Sequence, residues 1–173
     1  MVASKQNSIL EPPFFIRPIK LLIVVAPYYK KIADELVAGA RSEIEQAGGS
    51  SELVEVPGAL EIPTTIAIAS RQLDFDGYVA LGCIIRGETT HYDTVCNDSS
   101  RALQLLGLQG VCIGNGILTV ENSRQAQDRA DASRQNKGGG AALAALHLIA
   151  LSQKWEQSKG KVGFLSSDEI SEA

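Results

Sequence analysis

The stretch Arg86-Gly87-Glu88-Thr89-Thr90-His91-Tyr92-Asp93 places a glycine turn, two hydroxyls and an imidazole side by side. Upstream, Tyr78 to Ile85 is a continuous apolar run that reads as a buried strand. Downstream, Tyr92, Val95, Cys96, Ser99, Leu103 and Leu106 recur at helical spacing. The loop therefore joins the carboxyl end of a strand to the start of a helix. In open parallel α/β sheets ligands settle at that edge, where unpaired backbone N–H groups and the helix dipole attract phosphate or carboxylate. His91 is the candidate proton carrier, because an unperturbed imidazole is the side chain suited to proton transfer near neutrality. The bland reading, a helix-start histidine that only caps, stays open on the residues alone. His147, on an apolar segment, reads as structural. For an anion, the amides of Gly87, Glu88 and Thr89 and the Thr89 hydroxyl form the candidate cradle.

The elements that must hold this loop alternate along the chain. Ile19 to Ala26 reads as a strand and is followed by a helix to about Ala47, with an apolar stripe of Ile32, Leu36, Val37, Ala40 and Ile44. Gly48-Gly49 stops it. Glu52 to Val56 is a second strand, Pro57-Gly58 a turn, and Leu60 to Leu73 a helix that tolerates Pro63 in its first turn. After the third unit, Gly110 to Gly114 is expected as a fourth strand, with Ile117-Leu118-Thr119 leading out of it. Asn122 is expected to cap a helix running to about Arg129, and a last helix is expected from about Gly138 to Trp155. This order specifies an α/β fold, a three-layer α/β/α sandwich on a mostly parallel four-stranded sheet of flavodoxin-like type. Residues 1–12 are expected to be loose, with a short extended segment at Pro13-Phe14-Phe15-Ile16 opening a single domain over 13–156. The polar tail over 157–173 is expected to be disordered. Ala141 to Leu151 is apolar nearly all round, which one sheet face can hardly cover, so a subunit interface is expected there.

Composition narrows the partners. A chain of 173 residues with 45% hydrophobic residues buries a core without disulfides or a structural metal. A net charge of −4 argues against nucleic acid as a main partner. Cys83, Cys96 and Cys112 lie in apolar segments without metal-ligand spacing, and read as buried small hydrophobes in a reducing compartment. With no basic leader and no apolar run long enough to span a bilayer, the expected location is cytoplasmic, with no membrane partner.

Four segments, Val56-Pro57-Gly58-Ala59-Leu60-Glu61-Ile62-Pro63, Gly82 to Asp93, Gly116-Ile117-Leu118-Thr119 and Asn136-Lys137-Gly138, together resemble the lumazine synthase family in order and spacing, over about Ile19 to Trp155. The resemblance implies condensation of 5-amino-6-ribitylaminouracil with 3,4-dihydroxy-2-butanone 4-phosphate, with loss of phosphate and water and no cofactor or metal. It implies that His91 carries protons and that Arg129 supplies the charge for phosphate, beside Gly87, Glu88 and Thr89. By the same alignment Tyr28 stacks on the pyrimidine, Ala59, Leu60 and Glu61 hold the ribityl chain, and backbone groups of Cys83, Ile84 and Ile85 read the uracil edge. Lys137 aligns with a site lysine, although an exposed turn lysine would look the same. Glu61 could equally be a first-turn acid complementing the helix dipole. Arg86 reads as a structural partner of a carboxylate and stands outside the catalytic set.

Two positions depart from the family pattern. Asn115 stands where many members carry an aromatic that covers the ring from across an interface, and Gly140 stands where many carry an acid near the histidine. Both resemble a pentameric branch, and residues 132–136 lack the kink usual in shell-forming members. The expectation is a homopentamer with sites shared between adjacent subunits and Phe14-Phe15 pairing with a neighbour's sheet edge. The same departures leave room for a catalytically weak lumazine- or flavin-binding paralogue that serves as carrier or scaffold.

Overall fold

A computed structural model of the chain describes residues 10–159. Most of the expected loose amino terminus and of the expected tail therefore lies outside the described residues. The elements are β1 (Lys20–Val25), α1 (Lys30–Gln46), β2 (Ser50–Glu55), α2 (Glu61–Gln72), β3 (Gly77–Ile85), α3 (His91–Leu108), β4 (Ile113–Val120), α4 (Ser123–Ala130) and α5 (Lys137–Lys159). The four strands form one all-parallel sheet in the order β2-β1-β3-β4. The two inner strands are buried on both faces, which is why they read as unbroken apolar runs rather than alternating ones.

Each face of the sheet carries its own apolar cluster. On one side Ile19, Leu21 and Ile23 meet Leu36, Ala40 and Ile44 of α1 and Ala142, Leu146 and Ile149 of α5. On the other, Leu22 and Val24 meet Ile62 and Ile66 of α2 and Leu103 and Leu106 of α3. Leu36, Ile44, Ile62, Ile66 and Leu146 are fully buried, each contributing about 1.5–3 kcal/mol of transfer free energy. This is the expected α/β/α sandwich.

Three expectations need correction. The fourth strand does not begin at Gly110; there the chain is in a left-handed turn, with φ of +90°, that ends α3, and β4 runs unbroken from Ile113 through Val120. Helix α5 continues to Lys159, so residues 157–159 of the expected tail are helical, their N–H groups placed to donate to carbonyls one turn back. Of the cysteines, all free, only Cys83 is buried; Cys96 and Cys112 are half-buried because α3 and the end of the turn before β4 each present one side to solvent. The segment at 13–16 is extended without strand pairing: Phe15 packs against the α1/α5 cluster, while Phe14 and Ile16 stay exposed.

Candidate functional site

The sheet order makes β1 and β3 neighbours whose following helices leave in opposite directions, and a crevice opens at that point, beyond the strands' carboxyl ends. The pocket there has a volume of about 470 Å³, within the range of small-molecule sites. Its walls are the end of β1 (Ala26, Tyr28, Tyr29), the turn into α2 (Pro57 to Glu61), the end of β3 (Cys83 to Ile85), and the loop into α3 (Gly87, Thr89, His91, with Tyr92 and Val95 behind).

The helix starts around this pocket share one property. The residues before α1, α2 and α3, namely Tyr29, Leu60 and Thr90, provide no side-chain cap. By contrast α4 begins at Asn122, whose side-chain oxygen accepts from the Gln125 N–H at 3.0 Å. An uncapped start leaves N–H donors unpaired and therefore available to an anion. In the loop before α3, the amides of Gly87, Glu88 and Thr89 have no acceptor among the described residues, while the Thr89 hydroxyl accepts weakly from the His91 N–H at 3.4 Å. Glu88 is exposed and its side chain lies outside the pocket wall.

The remaining wall chemistry suits a flat, partly apolar ligand. Tyr28 is 77% exposed and meets Tyr29 edge to face with centroids 5.0 Å apart, leaving a ring surface open. Burial raises the Tyr29 hydroxyl above its ordinary range, and the neighbouring Tyr28 and Cys83 add to the effect. The Cys83 thiol is pushed by burial from 9.0 to about 11, so it stays protonated and is a wall rather than a nucleophile. Glu61 opens α2 as an exposed first-turn acid, its N–H donating to the Gly58 carbonyl at 3.2 Å.

Three of the expected site residues stand elsewhere in the chain. Arg129 is in the last turn of α4, where its guanidinium donates to its own Gln125 carbonyl at 3.4 Å. Lys137 is exposed at the start of α5, after Asn136, whose φ of +42° marks a tight corner. Asn115 lies in mid-β4, paired in register with Ala80, where its side chain accepts from the Ile117 N–H at 3.0 Å and faces a separate apolar groove with Leu148 and Trp155. As a result the pocket of one chain is lined by no lysine or arginine among the described residues.

Sequence reasoning assigns Arg86 to structure and misses how much it joins. Its Nε donates to Glu121 at 2.9 Å, an Nη donates to Asp93 at 3.3 Å, and the guanidinium lies 4.1 Å from the centroid of Tyr92. The signal is present as acids at 93 and 121, but nothing in the spacing says that the ends of β3 and β4 bring them together.

Comparison with known proteins bears directly on this geometry. Residues 18–153 match the family described as 6,7-dimethyl-8-ribityllumazine synthase. A protein of that name from Jannaschia sp. (strain CCS1) is 55% identical over 163 residues, 94% of this chain and 92% of the relative. Namesakes from Novosphingobium aromaticivorans and Bartonella tribocorum are 53% and 52% identical, covering 79% and 80% of this chain and 98% and 93% of their own lengths. A match over most of both partners, with the fold's crevice lined by two of the four segments that carried the resemblance, those at 56–63 and 82–93, means that this chain belongs to the 6,7-dimethyl-8-ribityllumazine synthase family.

Proposed function

We propose that this chain forms 6,7-dimethyl-8-ribityllumazine from 5-amino-6-ribitylaminouracil and 3,4-dihydroxy-2-butanone 4-phosphate, in cytoplasmic oligomers whose sites are shared between copies. The observation that carries the reading is the single pocket uniting Tyr28, Ala59 to Glu61, Cys83 to Ile85, Gly87, Thr89 and His91 at the sheet's switch point. The reaction forms an imine, eliminates phosphate and closes a ring, so it needs two oriented substrates, an anion site and a proton carrier. The open face of Tyr28 stacks on the pyrimidine. The uncapped start of α2 and the Glu61 carboxylate pair with ribityl hydroxyls, and backbone groups of Cys83, Ile84 and Ile85 read the uracil edge. The phosphate rests on the amides of Gly87, Glu88 and Thr89, and exposed His91 moves protons between the substrates.

The missing cation supports the shared site. A phosphate held only by amide dipoles in a protein of charge −4 lacks a formal counter-charge, and a second copy's Arg129 and Lys137 would supply it, with Asn115 at the same seam. We place five copies in the ring. Incubating the purified protein with both substrates and following lumazine fluorescence tests the activity; formation at the rate of the uncatalysed condensation would leave the carrier reading instead. Native mass measurement tests the ring size.

A further inference from the structure

The first two turns of α3 contain no buried residue; its buried residues are Ser99, Leu103 and Leu106. Core packing therefore holds the far part of α3, not the turn that carries His91. The loop before it is exposed from Arg86 to His91 and has no side-chain cap to fix it. A catalytic group and an anion cradle on so lightly packed a segment would drift by more than productive geometry allows.

What does tie this segment is Arg86. Its backbone is anchored at the sheet, the N–H donating to the Val120 carbonyl at 2.9 Å. Its side chain closes the loop on itself by reaching seven residues ahead to Asp93 in the first turn of α3, while lying over the Tyr92 ring. The second prong goes to Glu121, the residue after β4 and just before the Asn122 cap of α4. Glu121 is itself oriented, its N–H donating to the Gln125 side chain at 3.0 Å. One planar cation thus fixes the start of α3 against the ends of β3 and β4, a forked geometry that a point charge cannot reproduce. It also pairs with the carboxylates of Asp93, two residues beyond His91, and of Glu121, offsetting negative charge close to the loop.

We propose that Arg86 is a positioning residue, which sets the Gly87–His91 loop and keeps Asp93 and Glu121 from repelling the phosphate substrate. This rests on the reading of the pocket under Proposed function. Exposed ion pairs add little to stability, so the role separates from folding: Arg86 matters for where the loop stands, not for whether the chain folds.

The test compares the unaltered protein with Arg86→Met and Arg86→Lys, measuring kcat, KM for each substrate, inorganic phosphate affinity by calorimetry, and the melting temperature. For Arg86→Met, KM for the butanone phosphate should rise about tenfold or more and phosphate affinity should fall in parallel, with kcat also reduced. KM for the ribitylaminouracil should stay within about twofold, and the melting temperature should change by no more than a few degrees. Arg86→Lys, which keeps the charge and loses the fork, should fall between the two and decides the question if Arg86→Met does not fold. Unchanged phosphate handling in either soluble variant, or an equal rise in both KM values together with a collapsed melting temperature, would overturn the assignment. An unaltered protein that forms no lumazine and binds no phosphate would overturn the parent reading, and this inference with it.

Discussion

Replacing Gly87 with alanine asks whether that glycine serves the chain or a ligand. A Cβ built there meets no atom within 4 Å, and the residue is not in the left-handed region, so nothing in the fold requires glycine. Alanine at such a position should stabilise the protein by about 0.4–1 kcal/mol, through lost freedom in the unfolded chain. For a domain of this size that corresponds to a rise in melting temperature of roughly 1–4 °C. Gly87 nonetheless lines the pocket, next to amides that lack partners. On the proposed phosphate reading, a methyl there would hold a phosphate oxygen away from the backbone, and losing one hydrogen bond to a charged group costs about 1.5–3 kcal/mol. The expected outcome is a KM for the butanone phosphate raised by roughly 10- to 150-fold, with KM for the pyrimidine substrate little changed. Steady-state lumazine formation, with each substrate varied in turn, and a thermal melt provide both readings. A destabilised Gly87→Ala would refute the claim that the fold is indifferent to this residue. A stable variant with unchanged KM would remove the loop from the phosphate site.

Other perturbations separate catalysis, packing and titration. His91→Ala should slow turnover by about ten- to a thousandfold while the melting temperature holds, since His91 is exposed; a preserved kcat would deny it the proton-carrying role. Gly138→Ala should destabilise by about 1–3 kcal/mol in denaturant titrations, because its Cβ would collide with the Leu36 carbonyl where α5 crosses α1. Between pH 9 and about 11 the Cys83 thiol is ionised in the unfolded chain and still protonated in the folded one, so its raised value makes stability fall as pH rises through that window. Cys83→Ser should flatten that alkaline slope in melts taken from pH 8 upward.

Legibility from sequence follows how directly the local pattern encodes position. β1 and β3 are readable because strands buried on both faces are apolar without interruption. β4 is not, because two of its inward positions, Gly114 and Gly116, look like turn punctuation. In the structure they are contact surfaces: a Cβ at Gly114 would collide with the Ala141 carbonyl, and one at Gly116 would stand 2.9 Å from the Ala141 Cβ. Glycine there lets α5 lie close on the edge strand, a tertiary requirement with no local signature. The same holds at the site. The stretch 86–93 announces itself through residue types at a strand-to-helix junction, and the pocket forms around it. The Arg86 bridge to Glu121 spans 35 residues, and only the β3–β4 pairing brings the two together.

The division of charge between pocket and chain yields the sharpest test of assembly. The crevice supplies dipoles and an imidazole but no lysine or arginine among the described residues, while Arg129 and Lys137 sit on α4 and α5, outside its walls. If His91 and Arg129 of one chain worked in the same site, mixing His91→Ala with Arg129→Ala subunits could never restore activity, since every site would carry one defect. If each site takes His91 from one copy and Arg129 from the next, equal mixing after dissociation and reassembly leaves about a quarter of the sites with both residues intact. Activity should then recover to about a quarter of that of the unaltered protein, from a mixture whose two components are each impaired. On that reading recovery also requires reassembly, because assemblies merely combined in one tube exchange no residues. A reassembled mixture no more active than the mean of its parents would place both residues in one chain's site. The cation would then have to come from a movement of α4 toward the crevice rather than from a neighbour.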